Sequence, residues 1–271
     1  MISVENLSMC YPGGIRALHA TSVRFSPREF TVLLGPSGAG KSTLLRCLNL
    51  LLAPTEGKIF STTAGELKSP RAIRAHRLKT AMIFQQHQLI GRYTALDNVL
   101  IGRMGYHGAW RGLFPLPRKD RLLALECLER VGLLDKALTR ADRLSGGEQQ
   151  RVGIARALAQ RPETILADEP VASLDPATAN HVLSLLRTIC ADEGLTAIVS
   201  LHQLQLAKRY ADRVIGMSQG RAVFDGAAEE LTEGALRRIY STAKRETERA
   251  AAGDGQGGQD FALADLSPLQ P

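Results

Sequence analysis

The stretch "GPSGAGKST", Gly35 to Thr43, follows the apolar run "FTVLL" and leads into "LLRCLNLLLAP". Strand, glycine loop and helix in that order are what phosphate binding at a helix N-terminus requires. The stretch fits G-x-x-x-x-G-K-[ST], with Gly35, Gly40, Lys41 and Ser42 at the fixed positions. Gly35, Gly38 and Gly40 permit the backbone to curl so that successive N–H groups point at phosphate oxygens. Pro36, Ser37 and Ala39 belong to the same nucleotide-binding loop. Lys41 is placed to reach the β- and γ-phosphates, the Ser42 hydroxyl to ligate Mg²⁺, and Thr43 to add a donor near the α-phosphate. Downstream, Leu44, Leu45, Leu48 and Leu52 fall on one helical face, and Pro54 predicts its end.

Such a loop needs acidic partners, and "TILADE" supplies them: an apolar strand ending in Asp168 and Glu169. Adjacent carboxylates repel unless a cation sits beside them, and Mg²⁺ and Lys41 meet that need. Asp168 is expected to hold Mg²⁺ through water, and Glu169 to polarise the attacking water as general base. Gln85, after the strand-like "TAMIF", carries an amide able to touch both Mg²⁺ and that water. His202 ends the strand "TAIVSL" and is either a structural hydrogen-bonder or a donor to the γ-phosphate. Tyr11, just ahead of "PGG", either stacks on adenine or packs at a strand end.

A second glycine-rich stretch, "LSGGEQQ" from Leu144 to Gln150, precedes "RVGIARALAQ", whose Val152, Ile154, Ala155 and Leu158 suit a buried helix. Ser145, Gly146 and Gly147, with Glu148 behind them, thus lie at another helix N-terminus, ready for an anion. One nucleotide needs only one such loop. The economical solution is two identical chains head to tail, each offering its Ser-Gly-Gly to the other's γ-phosphate and enclosing two ATP molecules.

The remaining sequence frames these loops. "SVENLSMCY" and "TSVRFSPREFTVLLG" read as strands, and "DRVIGMSQGRAVFDG" as a hairpin. Between them, residues 89–160 read as helical, so residues 1–88 and 161–248 form a discontinuous α/β core with an inserted helical subdomain. The segment 249–271, rich in Gly, Ala and Gln, reads as a flexible tail. Hydrophobic residues make up 44% and charged residues 23%, as in a soluble globular protein. No apolar run approaches the ~20 residues of a membrane span, and the N-terminus has no secretory pattern. Cys10, Cys47, Cys127 and Cys190 form no C-x-x-C pair, which favours reduced thiols over a metal site. The net charge is +7, and is compatible with nucleic acid, an anionic membrane surface or polyphosphate ligands.

The ordered set "GPSGAGKST", "FQQ", "LSGGEQQ", "ILADEP", "SLDP" and "SLH" resembles the ATP-binding subunit of ATP-binding-cassette (ABC) transporters over roughly residues 1 to 240. The resemblance implies a P-loop NTPase core with an N-terminal antiparallel β part, and ATP and Mg²⁺ as cofactors. It implies the site roles given above, favours adenine stacking on Tyr11, and places Asp175 of "SLDP" across the dimer seam. It further implies integral membrane permease subunits as partners, a periplasmic substrate-binding protein acting indirectly, and a position on the cytoplasmic face of the bacterial inner membrane. A coupling helix of the permease is expected against residues 87–121. There Tyr93, Met104, Tyr106, Trp110 and Phe114 are either the helical lobe's core or a groove for that helix. "RMGYH" and "ADEPVASLDP" look most like the ATPase of bacterial phosphonate importers; His87, Gln88 and the Gly-rich tail depart from that pattern. Import of another oxyanion or small polar solute, a soluble ATPase of a phosphonate-degrading or nucleic-acid complex, and an inactive regulator are the alternatives. Nucleic acid is not an expected partner, because the chain carries neither heptads nor Cys clusters.

Overall fold

The computed structural model describes residues 1–85, 88–107 and 116–240. β1 (Ile2–Cys10) and β2 (Arg16–Phe25) pair antiparallel, with Ile2 opposite Phe25 and Val4 opposite Val23. β3 (Phe30–Leu34) is buried at every residue, as a central strand covered on both faces must be. α1 (Lys41–Leu48) follows the first glycine loop, then β4 (Glu56–Ser61), β5 (Gly65–Glu66), α2 (Pro70–Lys79) and β6 (Thr80–Ile83). α3 (Ala95–Leu100), α4 (Arg118–Arg130) and α5 (Gly146–Ala159) come next. β7 (Thr164–Asp168), α6 (Pro176–Glu193), β8 (Thr196–Leu201), α7 (Leu204–Tyr210), β9 (Arg213–Ser218) and β10 (Arg221–Ala227) complete the order.

Two sheets result. The first is antiparallel, in the order β2-β1-β4-β5; the second runs β10-β9-β3-β8-β7-β6 and is parallel except for β10. The expected hairpin is β9–β10, closed by Gln219 and Gly220, both at positive φ. That pair of left-handed residues is what a two-residue turn between twisted strands demands. The α/β class with an antiparallel N-terminal part stands as the sequence predicts.

Alternation along the parallel strands decides where the site forms. Ile165 and Ala167 of β7, and Ala197 and Val199 of β8, face one core shared with α3, α4, α5, α6 and α7. Leu166 and Ile198 face the other, filled by Leu44, Leu45, Cys47 and Leu48 of α1 and by β1 and β2. Successive side chains of a strand point to opposite faces, so α1 and α5 lie on opposite sides of the same sheet. Among the described residues, the helical segment shares its core with the sheet: Leu96, Val99 and Leu128 belong to one cluster with the strands.

One sequence expectation is corrected. The helix after the phosphate loop does not run to Pro54; it ends at Leu48, and Leu50 takes φ 55°. Leu51 N donates to Arg46 O, so the chain turns out of the helix and Leu52 packs only partly against the α1 core. A left-handed residue interrupts a helix without disturbing its apolar periodicity, which is why the pattern misleads here.

Candidate nucleotide site

The glycine loop between β3 and α1 is shaped by close backbone contacts. A Cβ on Gly40 would lie 2.6 Å from Ala17 O and 2.9 Å from Leu18 Cδ2, and φ there is +96°. A Cβ on Gly35 would lie 2.3 Å from Met217 O. Gly40→Ala therefore meets both a steric and a conformational penalty, about 2 kcal/mol or more. It is expected to lower the thermal midpoint and weaken ATP binding together, as thermal denaturation with and without ATP will report.

Lys41 is buried and curls back on its own loop, its Nζ donating to Gly35 O (2.8 Å) and Pro36 O (2.9 Å) and lying 3.6 Å from Glu169 Oε1. Burial draws its pKa below the ordinary lysine value, and the carboxylates of Glu169 and Asp168 work against that shift. Ser42 Oγ donates to Asp168 Oδ1 at 2.6 Å. The lysine, the hydroxyl and the two carboxylates thus meet at one point, where the N-terminus of α1 abuts the end of β7.

Two contributors went unread in the sequence. Ser200 is the register partner of Asp168; its Oγ donates to Asp168 Oδ1 (3.0 Å) and accepts from Glu169 N (2.8 Å). Besides Thr196 at its start, Ser200 is the polar residue of the apolar "TAIVSL" and stands next to its end. Arg46, one helical turn after Ser42, lies 3.7 Å from Asp168 Oδ2; its i+4 spacing pointed there. Glu169 itself has φ 45°, an unusual backbone state for a non-glycine residue that costs about 1–3 kcal/mol. Its Oε2 stands 4.0 Å from His202 Nδ1.

Tyr11 lies beside the loop, its hydroxyl 3.3 Å from Thr43 Oγ1 and its ring partly buried against the α1 core. Gln85 is exposed two residues past β6, in a cleft of about 620 Å³ with Gly91, Asp142, Gln149 and Ser173. Among the described residues it makes no hydrogen bond to Ser42 or Asp168.

The second loop is built as a helix cap. Ser145 Oγ accepts from Glu148 N, and Ser145 N donates to Glu148 Oε2 at 2.8 Å, a reciprocal capping box worth about 1 kcal/mol. Lys136 pairs with Glu148, and this bond together with that from Ser145 N brings the Glu148 carboxyl down to about 2. Asp175 caps α6, accepting from Ala177 N (3.1 Å) and Thr178 N (3.0 Å). A Cβ on Gly147 would lie 2.5 Å from Thr178 Cγ2, so the two capped starts pack on each other. Ser145 to Glu148 and Asp175 therefore form one assembly, carried by helices of the face opposite α1.

A cleft of about 810 Å³ lies elsewhere, wrapped around β6. Its apolar walls are Ile73 and Leu78 of α2, Met82, Phe84 and Ile101. Gln88, Ile101, Gly102, Gly105 and His107 of the segment 87–121 contribute to its lining, whereas Tyr93, Met104 and Tyr106 lie outside it and are exposed rather than core. Tyr106 is drawn away because its hydroxyl donates to Leu78 O and Gln160 O and Arg103 covers its ring at 4.2 Å. Trp110, Phe114, His87 and the segment 249–271 lie outside the described residues. Among the described residues, no helix is long and apolar enough to cross a membrane.

The family model described as "ABC transporter" matches residues 18–172. The chain is 61% identical over 244 residues to the phosphonates import ATP-binding protein PhnC 3 of Nostoc sp., covering 90% of this chain and 93% of that protein. It is 63% identical over 241 residues to the phosphite import ATP-binding protein PxtA of Stutzerimonas stutzeri, covering 89% and 87%. Among solved structures, a dimeric ATP-binding cassette in a post-hydrolysis state with ADP and Pi bound superposes with a TM-score of 0.74. That pair shares 33% identity, over 84% of this chain and 99% of the other. With a glycine loop, paired carboxylates and a capped second loop in one α/β frame, the chain belongs to the ABC transporter family as an ATP-binding subunit.

Proposed function

We propose that the chain hydrolyses ATP to drive import of phosphonates, or of a close phosphorus oxyanion, through separate membrane permease subunits at the cytoplasmic face of the membrane. The observation that carries the substrate class is the near-equal likeness to a phosphonate and a phosphite import protein. Both names denote small tetrahedral phosphorus anions, so the class is narrower than oxyanions at large. The cleft between α2 and Ile101 is the surface for a permease helix, since Ile73, Leu78, Met82 and Phe84 suit the apolar face of a helix laid in a groove and Arg74, Arg77 and His107 suit its polar edge.

The residues divide the chemistry as follows. The backbone curl at Gly35 to Gly40 and the Lys41 ammonium hold the phosphates, and Thr43 and Tyr11 flank the loop. Ser42 and Asp168, joined hydroxyl to carboxylate, form a hard oxygen donor set that fits Mg²⁺, with Gln85 as a further ligand on closure. When bound there, Mg²⁺ supplies positive charge against the charge developing on the transferred phosphoryl group. Glu169, held by its backbone bond to Ser200, takes a proton from the attacking water. His202, beside that carboxylate, donates to the γ-phosphate.

Ser145, Gly146 and Gly147 complete the site of a second copy of the chain, and Asp175 lies at the seam between the two. Support comes from the fold: the capped start of α5 and the start of α1 are carried by helices on opposite faces of one sheet, which fits a site completed by a second chain. Hydrolysis then reopens the pair, a population shift governed by γ-phosphate contacts.

Reconstitution with the permease and binding protein in lipid nanodiscs tests the substrate. ATP hydrolysis is expected to rise severalfold with methylphosphonate or phosphite and to ignore amino acids. Stimulation by an amino acid or sugar alone refutes the assignment.

A further inference from the structure

The cleft proposed to receive the permease and the C-terminal end of α1 belong to different parts of the fold, yet α2 touches both. Ile73, Arg74, Arg77 and Leu78 of α2 line the cleft. From the same helix, His76 turns the other way and is buried, 1% exposed, against the end of α1. Its Nε2 lies 2.8 Å from Leu48 O. A carbonyl only accepts, so Nε2 carries the proton, and Nδ1 is left to accept from Thr80 Oγ1 at 3.4 Å. Arg77 adds two more bonds at the same place, to Asn49 O (3.2 Å) and Leu50 O (2.5 Å).

These three carbonyls lie at and just past the end of α1, where a helix leaves acceptors unmet and a negative dipole end. His76 and Arg77 thus grip the C-terminus of the helix whose N-terminus presents Lys41 and Ser42. Eight residues at 1.5 Å each make α1 a stiff rod about 12 Å long. Leu44, Leu45 and Leu48 are fully buried in a close-packed core, and close packing of that kind transmits a shift at one end to the other. The grip also has an unmet group: Asn49 Oδ1 is buried with no donor among the described residues. A buried acceptor without a partner costs about 1–3 kcal/mol, which marks this joint as one that a small movement can improve.

We propose that α2 is a transmission element, and that His76 is the positioning residue through which movement at the permease cleft reaches the phosphate-binding helix. This rests on the reading of the α2 cleft as the permease surface. It runs on the α1 side of the sheet, away from Gln85, which stands two residues past β6. Burial draws the His76 pKa below its ordinary value, so the ring stays neutral and its single N–H is committed to Leu48.

The test uses the whole transporter in nanodiscs with His76→Leu and His76→Gln. Gln keeps an N–H with similar reach; Leu fills the space without a donor. His76→Leu is expected to copurify with the permease as the native chain does, and its ATP hydrolysis without transport substrate to stay within about twofold. Stimulation by methylphosphonate or phosphite should fall about tenfold, and His76→Gln should restore most of it. Hydrogen exchange gives a readout independent of turnover. Assembly should change the protection of the Leu50 and Leu51 amides in the native chain and in His76→Gln, but not in His76→Leu.

Native stimulation in His76→Leu overturns the proposal. So does an equal loss of basal and stimulated rates, because a merely structural residue lowers both. Should the leucine variant not fold, His76→Asn, which retains a polar group too short to reach Leu48, replaces it with the same expectations. Failure of the cleft reading shows separately: Ile73→Asp would then copurify with the permease undiminished.

Discussion

Replacing Glu169 with Gln is expected to cut ATP hydrolysis by about 100-fold or more while leaving ATP bound. Gln is nearly isosteric, so the bond from the backbone N–H of residue 169 to Ser200 and the unusual φ of 45° both survive. What disappears is the carboxylate that, among the described residues, faces both Lys41, at 3.6 Å, and His202, at 4.0 Å. Removing one negative charge beside Lys41 also favours an anionic ligand, so affinity for ATP should hold or improve. With hydrolysis blocked, the closed pair accumulates and should elute as a dimer on gel filtration with ATP and as a monomer without it. Phosphate release measured beside that chromatogram checks both halves. Normal turnover would remove Glu169 from the role of general base.

The parts of the site that were legible in the sequence are those whose chemistry is local. A loop that must admit phosphate to its backbone needs glycine at fixed places, and Gly35 and Gly40 are fixed here by Met217 O and Ala17 O. A carboxylate at the end of a buried strand is visible in "TILADE" because everything before it is apolar. Ser145 with Glu148 is a capping box written at its standard spacing. What was not legible depends on which strands lie side by side. Ser200 meets Asp168 only because β7 and β8 are neighbours in register, and no spacing along the chain encodes that. The cleft proposed for the permease draws on Gln88, Ile101, Gly102, Gly105 and His107 of the segment after Gln85, but its other walls come from α2, Met82 and Phe84, which no spacing along the chain links to them. Tyr106 reads from the sequence as core or groove; its hydroxyl donates to two carbonyls, Leu78 O and Gln160 O, that are far apart along the chain. Asp175 shows the converse. Its side chain already has an intrachain task, holding Ala177 N and Thr178 N, and that bonding lowers its pKa, with the Thr178 bonds foremost.

Mixing two inactive variants should produce an active enzyme. Lys41→Ala removes the ammonium that holds the phosphates. Gly146→Asp places a carboxylate at the first residue of α5, where it favours the helix yet repels a phosphate approaching that N-terminus. There is room for it, since a Cβ on Gly146 would meet only Leu174 Cδ2, at 3.5 Å. Each variant alone is expected to lose hydrolysis by about 100-fold, because every cleft in its homodimer carries a lesion. In a mixed pair built head to tail, both lesions fall in one cleft and the other cleft is whole. Equal mixing makes about half of the pairs mixed, each with one good cleft of two, so recovery approaches about one quarter of native activity. If one chain instead supplied both loops to its own nucleotide, every cleft in the mixture would still carry a lesion and no activity would return. The two outcomes differ by more than tenfold, which a phosphate-release assay on the mixture resolves without knowledge of the transported solute. The position of α1 and α5 on opposite faces of the β7–β8 sheet is the reason to expect recovery.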